Sequence, residues 1–189
     1  PEKLRFQCNF YNVDLYRAGK STPTPVKEID KECYTRDPNV ENSLLIWGDS
    51  HAQQLYSGLH KNLPENWQIL QVASSGCEPD VSALHDSTTN YCAKSNYFAL
   101  ETIKKSSTKI VIVGQNLGHD VETMASIAST LESLGVQRII FTGPSPHWTE
   151  DLPKIILRKL WVETPERTFK GVNAEVLAGD KVLKQNFMP

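Results

Sequence analysis

From Ser43 onward the chain is organised as short apolar runs separated by amphipathic stretches. Leu44 to Trp47 reads as a buried strand, and Ala52, Leu55, Tyr56, Leu59 and Leu63 then recur at helical spacing. Trp67 to Ala73 predicts a second strand. After a loop containing Gly76 and Pro79, a helix is expected around Ala93 to Lys105. Ile110 to Val113 predicts the third strand, and Val121, Met124, Ala125, Ala128 and Leu131 mark the next helix, with Gly135 suited to its left-handed C-terminal cap. Gln137 to Thr142 predicts a fourth strand. A helical region around Leu152 to Trp161 and a weaker one around Ala174 to Lys184 follow, without a clear fifth strand. Such β-α alternation implies an α/β fold with a mainly parallel sheet covered on both faces.

Residues 1–42 behave differently. They contain Pro23, Pro25 and Pro38 and several polar clusters but no sustained period, which predicts an irregular N-terminal extension, an appendage rather than a second core. The α/β domain is then expected over residues 43–189.

Composition narrows the function without choosing it. A chain of 189 residues with 39% hydrophobic and 22% charged residues has the make-up of one globular domain. A formal net charge of −2, with no Lys/Arg cluster longer than Lys104-Lys105, supplies no field for nucleic acid or an anionic membrane. The longest apolar runs fall far short of the roughly 20 residues that cross a bilayer. The opening Pro-Glu-Lys-Leu has neither an initiator Met nor a signal region, so the chain is expected to derive from a longer or processed precursor.

Four cysteines form two neighbouring couples, Cys8 with Cys33 and Cys77 with Cys92, and none has the C-x-x-C spacing of a zinc ribbon or redox pair. Sequential pairing is the simplest of the three connectivities. Each loop would gain on the order of 3 kcal/mol from its cross-link, which suits an oxidising compartment such as a periplasm; buried free thiols in a cytosolic protein are the other reading.

In a parallel sheet, ligands gather at the carboxyl ends of the strands. The loops expected there carry Ser50, Gly76, Asn116 and the Pro144 to Trp148 segment. Ser50 lies in Gly48-Asp49-Ser50-His51 at a strand-to-helix turn, beside unpaired helix N–H groups. Its own amide can therefore face the oxygen that becomes negative when its hydroxyl attacks an ester. By itself Gly-Asp-Ser equally suits a plain helix N-cap. Asp49 suits a turn-fixing carboxylate that accepts backbone N–H bonds. Trp47, Trp148 and Trp161 suit core positions or sugar stacking, with Trp148 the one in a loop.

Gly-Asp-Ser after the first strand, Gly76 after the second and Gly114-Gln115-Asn116 after the third resemble the SGNH hydrolase family. The resemblance implies a three-layer, flavodoxin-like domain in which Ser50 is the nucleophile and Gly76 and Asn116 complete the oxyanion hole. Leu117 stands where the family usually has Asp. The Gly-Asp-Ser-His form, the two-cysteine extension and the cysteine-closed loop are similar to the periplasmic SGNH domain fused to bacterial membrane acyltransferases that O-acetylate lipopolysaccharide O-antigen and related glycans. That resemblance implies an O-acetyltransferase domain on the periplasmic side of the inner membrane. It also implies a polysaccharide acceptor, an acetyl donor supplied through an attached transmembrane acyltransferase domain, and no bound cofactor, metal or nucleic acid. A carbohydrate O-acetyl esterase and a non-catalytic glycan-binding module are the alternatives.

One departure bears on activity. The family places an Asp-x-x-His base near the C-terminal end of the domain, and this sequence has none: His51, His60, His85, His119 and His147 are preceded at that offset by Gly48, Ser57, Ser82, Asn116 and Pro144. The base and its orienting carboxylate are therefore expected in a C-terminal segment absent from the sequence, and Ser50 alone is expected to be a weak nucleophile. His147 is the in-chain fallback base, with a ligand-lining or structural role, shared with Trp148, as the other reading. The cysteine pairing is checked by mass spectrometry of non-reduced peptides, with Cys8–Cys33 and Cys77–Cys92 expected. Four alkylatable thiols, or a crossed pair such as Cys33–Cys77, would overturn both the pairing and the oxidising compartment.

Overall fold

The computed structural model describes residues 4–83, 85–116, 118–151, 153–154 and 172–187. The four apolar runs become β1 (Asn42–Gly48), β2 (Trp67–Ala73), β3 (Ile110–Gly114) and β4 (Arg138–Phe141). They pair in parallel in the order β2-β1-β3-β4. Successive side chains of a strand point to opposite faces. Leu45, Trp47, Leu70, Val72, Val111 and Val113 thus enter one core, and Leu44, Ile46, Ile69, Ala73 and Ile112 the other. Because both faces are covered, the strands read as continuous apolar runs.

Between the strands lie α2 (Ser50–Gln53), α3 (Leu55–Asn62), α4 (Tyr91–Ser106) and α5 (Val121–Ser133); α1 (Val13–Arg17) precedes them and α6 (Ala174–Phe187) follows. Parallel crossovers are right-handed, so a chain that steps from β1 to β2 and then back past β1 to β3 must put its helices on opposite faces. Accordingly Leu55, Tyr56 and Leu59 of α3 pack on one core, while Ala99 and Ile103 of α4 and Ile127 and Leu131 of α5 pack in the other. The side chain of Asn90 accepts the Cys92 and Ala93 N–H groups and starts α4 at Tyr91, ahead of its apolar period. Past α5, the Val136 N–H reaches Leu131 O (3.1 Å) and the Gly135 N–H reaches Glu132 O (2.9 Å), the pair of bonds of a Schellman cap.

The N-terminal extension is built into the principal core. Cys8, Phe10, Ile29 and Cys33 are buried in the same cluster as Trp47, and Cys8–Cys33 and Cys77–Cys92 are disulfides. Sequence periodicity suggested an appendage because these four side chains come from 3-10 turns and loops with no repeat of their own. The extension also covers β2, an edge strand among the described ones. Arg5 Nη1 donates to Ile69 O at 3.3 Å, and the Gln68 side chain donates to Thr35 O and accepts the Asp37 N–H. Arg5 sits over the Tyr56 ring at 4.5 Å and bonds Glu32 at 3.0 Å. Hydrogen bonds from Gln7 and Arg5 hold the Glu32 carboxyl below its ordinary value.

The chain groups into two compact units: residues 1–118 with 122–142, and residues 119–121 with 143–189. The sheet and both disulfides belong to the first. In the second, α6 follows an antiparallel bridge between Trp148 and Val172, and the Asn173 N–H donates to His147 O at 2.7 Å. Apart from Pro153 and Lys154, the helix expected over Leu152–Trp161 lies outside the described residues. Phe10, 1% exposed and edge-on to Phe98 at 5.2 Å, tests the place of the extension in the core. Phe10→Ala is expected to lower stability in urea by about 3–5 kcal/mol. A side chain on a mere appendage would cost within about 0.5 kcal/mol.

Candidate active site at the strand crossover

The strand order reverses between β1 and β3, and in open α/β sheets the crevice for ligands opens at such a reversal, beyond the carboxyl ends of the strands. Gly48 at the end of β1 is in register with Ala73 of β2 and Gly114 of β3, so the three strands stop level. Ser50, Gly76 and Asn116 all leave from that one edge, each within a few residues of its strand.

Glycine is required where β1 turns into α2. Gly48 has φ +142°, and a Cβ there would lie 1.8 Å from the Gly114 carbonyl oxygen. A Cβ on Gly114 would in turn come 2.9 Å from Ala52 Cα. These two bare positions let the first turn of α2 sit against the ends of β1 and β3, with Ala52 fully buried. The Asp49 N–H donates to the same Gly114 carbonyl at 3.2 Å.

The Asp49 side chain is nearly fully buried and uses both oxygens. Oδ1 accepts the His51 N–H at 2.7 Å as an N-cap, and Oδ2 accepts the Asn116 N–H at 2.8 Å. The turn-fixing role therefore holds, and it extends to fixing the loop after β3. His51 Nδ1 lies 3.5 Å from the same Oδ1. Ser50 is exposed as the first residue of α2, and Gln54, itself in the helical region, links α2 to α3. Ser50 thus heads a nearly continuous helical stretch, where the N–H groups are left unpaired. Among the described residues none hydrogen-bonds to the Ser50 hydroxyl.

Gly76 occupies the third position of a turn closed by the Cys77 N–H on Ser74 O at 2.9 Å. Its φ of +73° is the left-handed value that a type II turn requires there, and the residue is exposed. The turn hangs from its neighbours: the Ser74 N–H donates to Gly48 O at 2.8 Å, and Gln53 Nε2 of α2 donates to Ala73 O at 2.8 Å. Cys77, just past Gly76, is bonded to Cys92 in the first turn of α4. The Tyr91 hydroxyl lies beside Gly76, 3.9 Å from where a Cβ would stand. Burial pushes the Tyr91 phenol up and Tyr11 adds to the effect, so it is a neutral hydroxyl at the edge of the turn.

Asn116 spends its N–H on Asp49 and keeps its side chain for other use, with Oδ1 buried and unbonded among the described residues. Gln115 Nε2 folds back onto Gly118 O at 2.7 Å and shapes this loop; Leu117 lies outside the described residues. His147 and Trp148 belong to the second unit, where they line a cavity of about 460 Å³ with Pro146, Asp151 and Lys154. Trp47 is a core residue, its Nε1 donating to Asn96 Oδ1 at 2.9 Å, and Trp161 lies outside the described residues. The Asp49–Asn116 link and the approach of Tyr91 to Gly76 had no signal in the sequence, since each joins residues far apart that carry no shared motif.

An exposed serine at the head of a helix, with a glycine turn and an asparagine loop at the same sheet edge, is the arrangement of an SGNH domain. A family model described as "SGNH domain (fused to AT3 domains)" matches residues 17–185, and the chain belongs to that family. Among solved structures it is similar to the periplasmic domain of a lipopolysaccharide acetyltransferase from Salmonella ser. Paratyphi A, with a TM-score of 0.64 and 23% identity. The match covers 82% of this chain and 64% of that one, and at this identity it bears on the fold alone. No match is found among curated proteins. No helix among the described residues is long and apolar enough to cross a membrane.

Asp49→Asn tests the bridge between the two loops. An amide can satisfy either His51 N–H or Asn116 N–H but turns a donor toward the other, leaving one buried N–H unpaired. A loss of about 2 kcal/mol in urea denaturation is expected. Ser50→Ala, at an exposed position, should stay within about 0.5 kcal/mol of the parent. Equal stability of Asp49→Asn and the parent would remove Asp49 from its bridging role.

Proposed function

We propose that the chain is the acetyl-transferring domain of a membrane-attached O-acetyltransferase, acting in the periplasm on sugar hydroxyls of a cell-surface polysaccharide such as O-antigen. The observation that carries the reading is the exposed Ser50 where the strand order reverses between β1 and β3, on a helix turn capped by the aspartate that also holds the Asn116 loop. Family membership, the two disulfides and the periplasmic domain of similar fold support the compartment and the attached acyltransferase.

In the first half-reaction the Ser50 hydroxyl gives its proton to a base, and Oγ attacks the acetyl carbonyl of the donor. The tetrahedral oxyanion is held by the Ser50 and Gly76 N–H groups and the Asn116 side chain. Such donors act on charge that develops only in the transition state, and loss of one costs roughly 10²- to 10³-fold in kcat. The donor leaves with the proton and acetyl-serine remains. A sugar hydroxyl then attacks the ester, its proton passes through the base to Ser50 Oγ, and the acetylated sugar departs. No Asp-x-x-His occurs in the 189 residues, so the base of the family has no counterpart among them. A reading without chemistry, a glycan-binding module, is the alternative.

The test compares the 189-residue chain with a form of the protein that extends to the family's Asp-x-x-His, each with and without Ser50→Ala. Hydrolysis of an activated acetyl ester and transfer to an added oligosaccharide are measured. The extended form is expected to be active and the short one nearly inactive, with a residual rate of the size that oxyanion donors alone supply, roughly 10³- to 10⁴-fold over water. Ser50→Ala should abolish the activity of the extended form. Activity that survives it would remove Ser50 as nucleophile, and equal activity of the two forms would turn attention to His147. Hydrolysis without transfer would make the domain an esterase. No activity together with oligosaccharide binding would make it a binding module.

A further inference from the structure

The extension reaches the Gly76 turn directly. Asn9 is 2% exposed and every polar group of its side chain is used on backbone or turn. Nδ2 donates to Ser75 Oγ at 3.1 Å, and Oδ1 accepts the Ser75 N–H at 3.3 Å and the Tyr11 N–H at 2.8 Å. The next residue repeats the contact: the Phe10 N–H donates to Ser74 Oγ at 2.9 Å, and Ser74 is fully buried. The ring of Tyr11 lies 5.0 Å from that of Tyr91, whose hydroxyl stands beside Gly76. Two consecutive residues of the extension, 64 to 66 positions away in sequence, therefore grip the turn, and the next packs on the tyrosine beside it.

What they grip adjoins the peptide that carries the Gly76 N–H. In the turn Ser74-Ser75-Gly76-Cys77, that N–H belongs to the central peptide, between Ser75 and Gly76. The common turn types I and II differ by the orientation of this central peptide, and they place the third residue at negative and positive φ respectively. A glycine in third position takes both values at no steric cost, so the turn itself does not choose. Gly76 is exposed and nothing approaches its Cβ position closer than the Tyr91 hydroxyl. Ser75, by contrast, is held at two points, N–H and Oγ, by one buried side chain.

We infer that Asn9 is a positioning residue, which by clamping Ser75 holds the Ser75–Gly76 peptide in the turn form with Gly76 at positive φ and so sets the direction of the Gly76 N–H. This rests on the reading of Gly76 as an oxyanion donor, and it makes the extension part of the reaction machinery of Ser50. The Cys8–Cys33 disulfide, whose first cysteine precedes Asn9, anchors the clamp, and Cys77–Cys92 anchors the far side of the turn.

Two measurements on Asn9→Ala test it. In the 189-residue chain, amide hydrogen exchange at Ser75, Gly76 and Cys77 should speed up at least about tenfold while β1 and β3 keep their protection. In the extended, active form, kcat for an activated acetyl ester should fall about tenfold or more, up to the roughly 10²- to 10³-fold cost of losing one oxyanion donor, with KM changed less than about threefold. Ser75→Ala, which keeps the N–H bond to Asn9 but loses the hydroxyl, should show a smaller change of the same kind, and it decides the matter should Asn9→Ala fail to fold. Unchanged exchange and kcat, or a raised KM with kcat intact, would overturn the positioning role. Ser50→Ala in the same assay separates the two levels: if it retains activity the reading of the site fails, while the exchange measurement still judges whether Asn9 holds the turn.

Discussion

Asp49 holds the first turn of α2, through the His51 N–H, and the loop after β3, through the Asn116 N–H, on the two oxygens of one buried carboxylate. A parallel sheet fixes strands by their ladders and leaves the connecting loops to their own contacts, and this carboxylate is one that ties two of them together. A charged acceptor bonded to backbone N–H groups is stronger than a neutral one, and burial removes the competition of water. This contact also needs the space that Gly48 and Gly114 leave, because a side chain at either would push α2 off the sheet and carry Asp49 with it. The position of Ser50 follows from that arrangement.

Much of the sheet was legible because its strands are buried on both faces and so stand out as apolar runs with turn residues between them. β2 matches its run, and β1 and β3 differ only at their ends. Ser50, Gly76 and Asn116 were legible because each lies where a parallel strand delivers its chain to the carboxyl edge. The extension was not. Its buried side chains, Cys8, Phe10, Ile29 and Cys33, sit at irregular intervals, and what they bury against is far along the chain. The same holds for Asn9, an unremarkable polar residue in sequence whose partners are Ser75 and its own neighbour. Periodicity reports elements with a repeating backbone; contacts made by loops leave no period.

Membership of a family settles architecture more firmly than chemistry, because the same sheet and helices host different reactions according to the groups at the edge. In this chain the Ser50 turn, the Gly76 turn and the Asn116 loop can be examined as geometry, and each is held by a side-chain contact to its backbone. Asn9 spends a whole buried side chain on one turn, and Asp49 spends a buried charge on two loops.

The cover over β2 has a further meaning for how such a domain is handled, by cells or in the laboratory. An edge strand with open N–H and C=O groups is a template on which a second chain can add itself, and natural proteins blunt such edges with charge or with a covering segment. Here Arg5 takes the Ile69 carbonyl of β2, and Thr35 and Asp37 are tied to the Gln68 side chain of the same strand. A fragment begun at the first strand would carry this edge bare, next to the hollow left by Phe10 and the Cys8–Cys33 bridge, and would be prone to self-association. Boundaries drawn by sequence pattern alone would cut there, and the extension is therefore better regarded as the domain's own first layer.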